Sequence, residues 1–295
     1  MAFSPGHKFG QLIGEVLEMA IDPILIEFAK KNGLYLDKKG PRPARDGQKV
    51  CWIDLNGNKH DLDFVLERGG SPDKFGVPAA FIEVAWRRYT KHSRNKVQEI
   101  QGAIMPLFQT HEHCHPFTGA ILAGVFTEGA LKQLKSLGFT LAYFPYETVV
   151  KAFARVRIDA SFDETTADTD FEDKFRRWDA LTLSSQAMVS KELVRLNAGE
   201  ISKFVEGLRS SVLRTIKAVR IFPLHGNAVE WANVNDAISF IQAYQEQGGA
   251  LPIVRYEVEI IYLNGDKIWG EFAAKDAAIE FLNSAYSTVA TEKPS

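Results

Sequence analysis

Two runs of alternating apolar and polar residues, KVCWIDL at 49–55 and DLDFVLE at 61–67, flank a connection that begins Asn56-Gly57. Side chains alternate across a strand, and Asn-Gly readily takes the left-handed backbone of a tight turn, so these residues predict an antiparallel hairpin. The glycine- and proline-containing stretch GGSPDKFGVP leads to a third run, AAFIEVAW at 79–86, which passes directly into a helical-period segment from about Ser93 to Phe108. A buried-looking strand FTGAILAGVF follows, then a helix at 128–137, a strand at 139–144 and a helix from about Pro145 to Arg155. Upstream, Leu12, Ile13, Leu17, Ile21, Ile24, Leu25 and Phe28 recur at helical spacing; Pro23 predicts a kink or a division there, and Gly33 a stop. This order predicts an α/β fold built on a mixed sheet.

Composition narrows the classes. A chain of 295 residues holds one large domain or two of ordinary size, and 45% hydrophobic with 24% charged residues describes a globular protein and not a disordered or membrane one. Cys51 and Cys114 are too few for a disulfide framework, the start MAFSPGHKFGQLIG has no signal layout, and no apolar run has membrane-spanning length, so the expected compartment is the reducing cytoplasm. The net charge of −2 conceals segregation: Arg87 to Lys96 holds five Lys or Arg with His92 and no acid, whereas Asp159 to Asp173 holds seven acids and no base. Such blocks create local fields that the sum hides.

Asp63 and Glu83 fall on neighbouring predicted strands beside that basic segment. Hydrolysis of a phosphodiester calls for acids to hold Mg²⁺, a cation to stabilise the developing charge, and basic residues to grip a polyanion. On these residues and this topology, over roughly residues 10 to 155, the chain resembles the PD-(D/E)xK nuclease superfamily, which includes most type II restriction endonucleases. The resemblance implies a restriction-endonuclease-like core, Mg²⁺ as cofactor, double-stranded DNA as substrate, and a homodimer if the target is palindromic. It assigns the first acid to Asp63 and the second to Glu83, with an acid of the first helix, Glu15 or Glu18, completing the metal site. The pattern then wants a catalytic Lys at residue 85, where this chain has Ala85. Three explanations stay open: a cation from Arg87, Lys91 or Lys96 takes the role, a Lys→Ala replacement has been introduced, or the domain binds DNA without cutting it. Lys96, in the first turn of the following helix, is placed to reach back. Arg87, Arg88, Lys91 and Arg94 become phosphate contacts, with Tyr89 and His92 as added hydrogen-bonding groups.

Other features carry weaker chemistry. Pro72-Asp73 also precedes Glu83, but Asp73 lies in a glycine-rich loop, so Asp63 is preferred and Asp61 held in reserve. His111, His113, Cys114 and His115 invite zinc, yet four ligands within five residues with no second half read better as a polar loop near the sheet edge; were the segment extended, the three histidines would share one side with Cys114 opposite. No glycine-rich nucleotide loop is present, which weighs against a metabolic enzyme binding a phosphorylated small molecule.

Three domains are expected: a nuclease core at 1–158, an acidic linker and helical segment at 159–212, and a module at 213–290. In the last, VRIFPLHGNAVEW with NDAISFIQAY parallels VEIIYLNGDKIWGEF with KDAAIEFLNSAY at a period of about 39 residues, a duplicated ββα unit for recognition or dimerisation. Trp231, Trp269, Phe240 and Phe281 are its core candidates, and its turns at 225–227 and 264–266 are exposed tips.

Overall fold

Helix α1 (Pro5–Lys31) starts where Ser4 caps it, accepting the His7 backbone N–H at 3.3 Å, with Pro5 in the first turn where its missing N–H costs nothing. Pro23 neither divides nor ends it. The stripe Phe9, Leu12, Ile13, Val16, Leu17, Ala20, Ile21, Leu25, Phe28 is buried along its whole length, and that burial outweighs the hydrogen bond lost at one proline. The computed structural model describes residues 4–213, 216–223, 227–244, 255–262 and 267–290. The chain divides into two units, Met1–Leu208 and Arg209–Ser295.

The first unit is built on a five-stranded mixed sheet. Strand β1 (Leu34–Lys38), absent from the sequence prediction, forms one edge, followed in space by β4 (Phe64–Arg68), β5 (Val77–Arg87), β6 (Phe117–Gly124) and β7 (Thr140–Pro145). The pairs β1/β4 and β4/β5 are antiparallel, and β5/β6 and β6/β7 are parallel. The hairpin β2 (Val50–Ile53) and β3 (Lys59–Leu62) is a separate two-stranded sheet turning at Gly57, whose φ of 80° suits glycine. Asp54 fixes that turn by accepting the Asn56 and Asn58 backbone N–H groups, each at 2.9 Å.

The predicted single strand at 61–67 is therefore two strands in two sheets. Leu62 belongs to the hairpin, whereas Phe64, Val65, Leu66 and Glu67 are all buried, so the alternation that a half-exposed hairpin requires is lost after residue 62. The break falls at Asp63.

Helices α2 (Ser93–Thr110) and α3 (Glu128–Ser136) and the hairpin cover one face, with Val50, Trp52, Leu62, Phe81, Val97, Ile100, Ile104, Ala120 and Leu122 sharing a core. Helices α1 and α4 (Tyr146–Ala154) lie against the sheet elsewhere, and α6 (Leu183–Leu196) packs on both. The acidic stretch read as a linker is tied into this unit. Phe162, Phe171 and Phe175 ring Phe9 at 5.8, 5.9 and 5.9 Å, carrying α5 (Asp168–Asp179) onto α1. Helix α7 (Ala198–Leu213) places Phe204 edge-on to Phe117 at 5.5 Å. Charged residues dominate the 159–173 composition, but three aromatics within it and just beyond suffice to anchor the segment.

The second unit is an antiparallel four-stranded sheet in the order β11 (Lys267–Phe272), β10 (Tyr256–Tyr262), β8 (Ile216–Pro223), β9 (Val229–Trp231), with α8 (Val234–Ala243) and α9 (Lys275–Ala290). Its core holds Val219, Ile221, Ala237, Ile241, Tyr256, Val258, Ile260 and Leu282, with Trp231, Phe240 and Phe281 packed against it. Trp269 is not core: it is 66% exposed, because it opposes Glu259 on the sheet face away from that cluster. Of the turn tips at 225–227 and 264–266, all but the exposed Asn227 lie outside the described residues.

Candidate functional site

Strand β4 gives out before β5 does. Their last pair is Phe64 with Ile82, so Val84 lies beyond the ladder on that side. Asp63, at the break between β3 and β4, fills the gap: its Oδ2 accepts the Val84 N–H at 2.7 Å. In return the Asp63 backbone N–H donates to the Glu83 carboxylate. The sheet's own geometry thus holds two acids against each other, on backbone that the core fixes.

Burial and like charge act on both. Glu83 is 6% exposed. Its carboxyl is pushed up to about 8, first by desolvation and then by the Asp63 charge, against a downward pull from Lys96. Burial raises Asp63 as well, opposed by the Val84 N–H and by Lys96 and Lys39. Glu18, on α1, is pushed up to about 7 by burial and then by Asp63, with Lys39 lowering it. Glu18, Asp63, Glu83, Lys39 and Lys96 therefore form one electrostatic group, gathered from α1, the β3–β4 break, β5, the end of β1 and α2.

Two clefts open beside this group. The larger, about 830 Å³, runs from Ala85, Lys96 and Arg87 along Gly6, Gly10 and Gly14 of α1, with Asp163 and Glu164 on another wall. The smaller, about 400 Å³, is lined by Asp63, Phe64, Asp22, Met19 and Trp178. Glu15, Glu18 and Lys39 line both.

Ala85 borders the larger cleft, but it is 4% exposed and its methyl belongs to the core cluster with Phe81 and Val97. Lys96 acts electrostatically on both Asp63 and Glu83; its side chain is 19% exposed and lies 3.3 Å from Glu99. Glu99 also reaches Arg87 at 3.4 Å, and burial lowers the Arg87 guanidinium below its usual range.

The basic segment is less available than its composition predicts. Arg88 is a structural anchor: its Nε donates to the Phe162 carbonyl at 2.6 Å, and its guanidinium lies over the Tyr146 ring at 4.1 Å. Lys91 pairs with Glu164. Arg94 is exposed but lines neither cleft, and the side chain of His92 lies outside the described residues. The acids of the 159–173 block neutralise part of the patch they were read as separate from.

The remaining sequence candidates fall elsewhere. Asp61 pairs with Lys49 at 2.6 Å on the hairpin, and Asp73 is exposed in the turn at 71–74. The histidine cluster is not extended: Glu112–Cys114 is a 3-10 turn, His115 takes φ 44°, and His111 packs on Trp52 at 5.6 Å. The residues that sequence reasoning missed are Lys39 and the three glycines of α1, whose spacing of four gave the only advance signal.

No family model matches the chain. No curated protein matches it either. A solved structure titled as the crystal structure of a protein of unknown function, AF1548, aligns with 65% of this chain and 99% of that one, at 11% identity and a TM-score of 0.27. A likeness at that level carries no argument about fold or activity. Among the described residues no set of three or more His, Cys, Asp and Glu side chains stands arranged to hold a metal ion, and no helix is long and apolar enough to cross a membrane.

That result bears on the expected metal trio. Glu18 joins Asp63 and Glu83 in charge, but the three do not form a ready cage. Two carboxylates still fit Mg²⁺, which commonly takes one or two and completes its shell with water and substrate phosphate. The observation in favour is Glu83 itself, a buried carboxyl beside a second acid with too little positive charge around them to keep both ionised at neutral pH.

Proposed function

We propose that this chain is a Mg²⁺-dependent nuclease acting on double-stranded DNA, of the PD-(D/E)xK, type II restriction-endonuclease kind. The observation that carries the reading is the pair Asp63 and Glu83, the first bonded to the backbone next to Glu83 and the second to the backbone of Asp63, both left short of positive charge, with Asp63 on the wall of the smaller cleft. Asp63 and Glu83 would hold the ion, with Glu18, which lines the smaller cleft beside Asp63, as the third acid. The chemistry such an ion supplies is Lewis-acid stabilisation of the charge that develops on a phosphodiester during hydrolysis. Lys96 keeps Asp63 and Glu83 closer to ionisation and places a second positive charge beside the scissile bond. Arg87 contributes from the same wall of the cleft, whereas Arg88 and Lys91 serve first to hold the acidic segment. Site specificity, dimerisation on a palindromic target and a recognition role for the second unit belong to the same proposal.

The test is incubation of unmethylated phage DNA with the wild-type chain, Asp63→Asn and Glu83→Gln in Mg²⁺. Discrete fragments from wild type alone support the reading. Equal cutting by all three, or none by wild type in Mg²⁺ or Mn²⁺, overturns it. A second reading, a DNA-binding protein that does not cut, is favoured by the methyl of Ala85 buried in the core where a lysine is wanted. Salt-dependent duplex binding with no cleavage by either wild type or Ala85→Lys selects it.

A further inference from the structure

We propose that Lys39 contacts a backbone phosphate of duplex DNA bound at the carboxylate group, a role for which Lys39 was not a candidate on sequence. The inference rests on the nucleic-acid reading above.

Lys39 stands where the two clefts meet. It lines both, together with Glu15 and Glu18, while Asp63 faces only the smaller and Ala85 and Lys96 only the larger. A strand that brought a phosphate to Asp63 and Glu83 would carry neighbouring phosphates past this junction, since successive phosphates are only a few ångströms apart.

The backbone under Lys39 is held on both sides. Asp37 accepts from Arg42 at 2.9 Å and Arg45 at 3.2 Å in a buried network, and the Lys38 Nζ donates to both oxygens of Asp22 at 2.9 and 2.7 Å. The Gly40 N–H donates to the Gln48 carbonyl at 2.8 Å, and the Gly40 carbonyl accepts from Arg45 at 3.0 Å. The Lys39 side chain itself is exposed, and among the described residues it makes no ion pair. The other cations of the clefts are engaged: Lys96 and Arg87 with Glu99, Lys38 with Asp22, and Arg88 with the Phe162 carbonyl. A lysine with no internal partner surrenders nothing when a phosphate arrives, whereas each of the others must give up or share a contact. Its charge already acts on Asp63 and Glu18, and it lines the smaller cleft with both.

Binding of a short fluorescently labelled DNA duplex, in Ca²⁺ so that binding is read apart from cutting, tests this across a salt series. Wild type, Lys39→Ala, Lys39→Arg and Lys132→Ala are compared, Lys132 being an exposed α3 residue paired with Glu128. Lys39→Ala is expected to weaken binding about fivefold and to reduce the log–log salt slope by about one, with Lys39→Arg restoring both and Lys132→Ala unchanged. An unchanged slope in Lys39→Ala, with wild type binding normally, overturns the assignment and leaves the nuclease reading standing. Absence of salt-dependent binding by wild type removes the parent reading and this inference with it.

Discussion

Glu83 shows how one buried side chain couples stability to pH. Its carboxyl is raised from 4.5 to about 8 in the folded chain, so between those values the folded state binds more protons than the unfolded one. Its contribution to stability is whole below the unfolded value and is lost as pH rises through about 8. Without divalent ions, the melting temperature should therefore fall as pH rises from 5 to 8, and Glu83→Gln should flatten that fall. Mg²⁺ or Mn²⁺ should recover stability at the alkaline end, where the acids are ionised; calorimetry at several pH values reads all three outcomes. Ala85 makes a second case. A lysine there must lift its ammonium from the core wall into the cleft, at about 1–3 kcal/mol of packing strain. Ala85→Lys should lower urea stability by that order, and raise single-turnover cleavage on the order of a hundredfold if position 85 is the catalytic lysine position.

At the scale of elements, the site is made by strands that end at different places. The residues 61–67 carry an alternating pattern that a single strand would satisfy, and the sequence predicts one. Tertiary pairing splits it, because β4 must join a sheet buried on both faces while β3 stays with the hairpin. Asp63 was recognisable as a candidate, but its bond to Val84 exists only because β5 outlasts β4. Helix α1 offers a test of the cleft. A Cβ on Gly14 meets nothing within 4 Å, so Gly14→Ala should stabilise the helix by about 0.5–1 kcal/mol. Gly14→Leu should fold equally well yet weaken duplex binding by narrowing the larger cleft, which melting and anisotropy measured side by side will separate. At the sheet edge, Arg42 donates to Glu67 and pairs with Asp37, with all three side chains at most 2% exposed. Arg42→Ala should cost about 3–5 kcal/mol in chemical denaturation, because it strands two buried carboxylates.

For the whole molecule, charge and domain division matter most. A net charge of −2 gives no general attraction for a polyanion, so any affinity for DNA must come from local cations. The acidic segment at 159–173 sets a limit on that attraction by pairing with Lys91 and bordering the larger cleft. Glu164→Gln should therefore increase duplex affinity modestly at low salt, an effect that fades as salt screens it. The first unit has its own sheet, core and clefts, so a chain ending at Leu213, where α7 ends, should melt cooperatively and keep its response to divalent ions. Loss of cooperative melting in that fragment would show that the first unit needs the second to fold.

The α/β class, most of the helices and the hairpin were legible in the chain, because hydrophobic period and turn chemistry are local, whereas the candidacy of Asp63, Glu83 and Glu18 leaned on the family resemblance. Strand β1, the continuity of α1 through Pro23, the burial of Ala85 and the commitment of Arg88 to Phe162 were not, since each depends on a partner distant in sequence. Lys39 belongs to the same group. Nothing in DKKGPRPAR distinguishes it from Lys38, and only the packed structure pairs one with Asp22 and leaves the other facing the clefts. Local pattern decides which residues can form an element; the meeting of elements decides which side chains are consumed in holding the fold and which are left for chemistry.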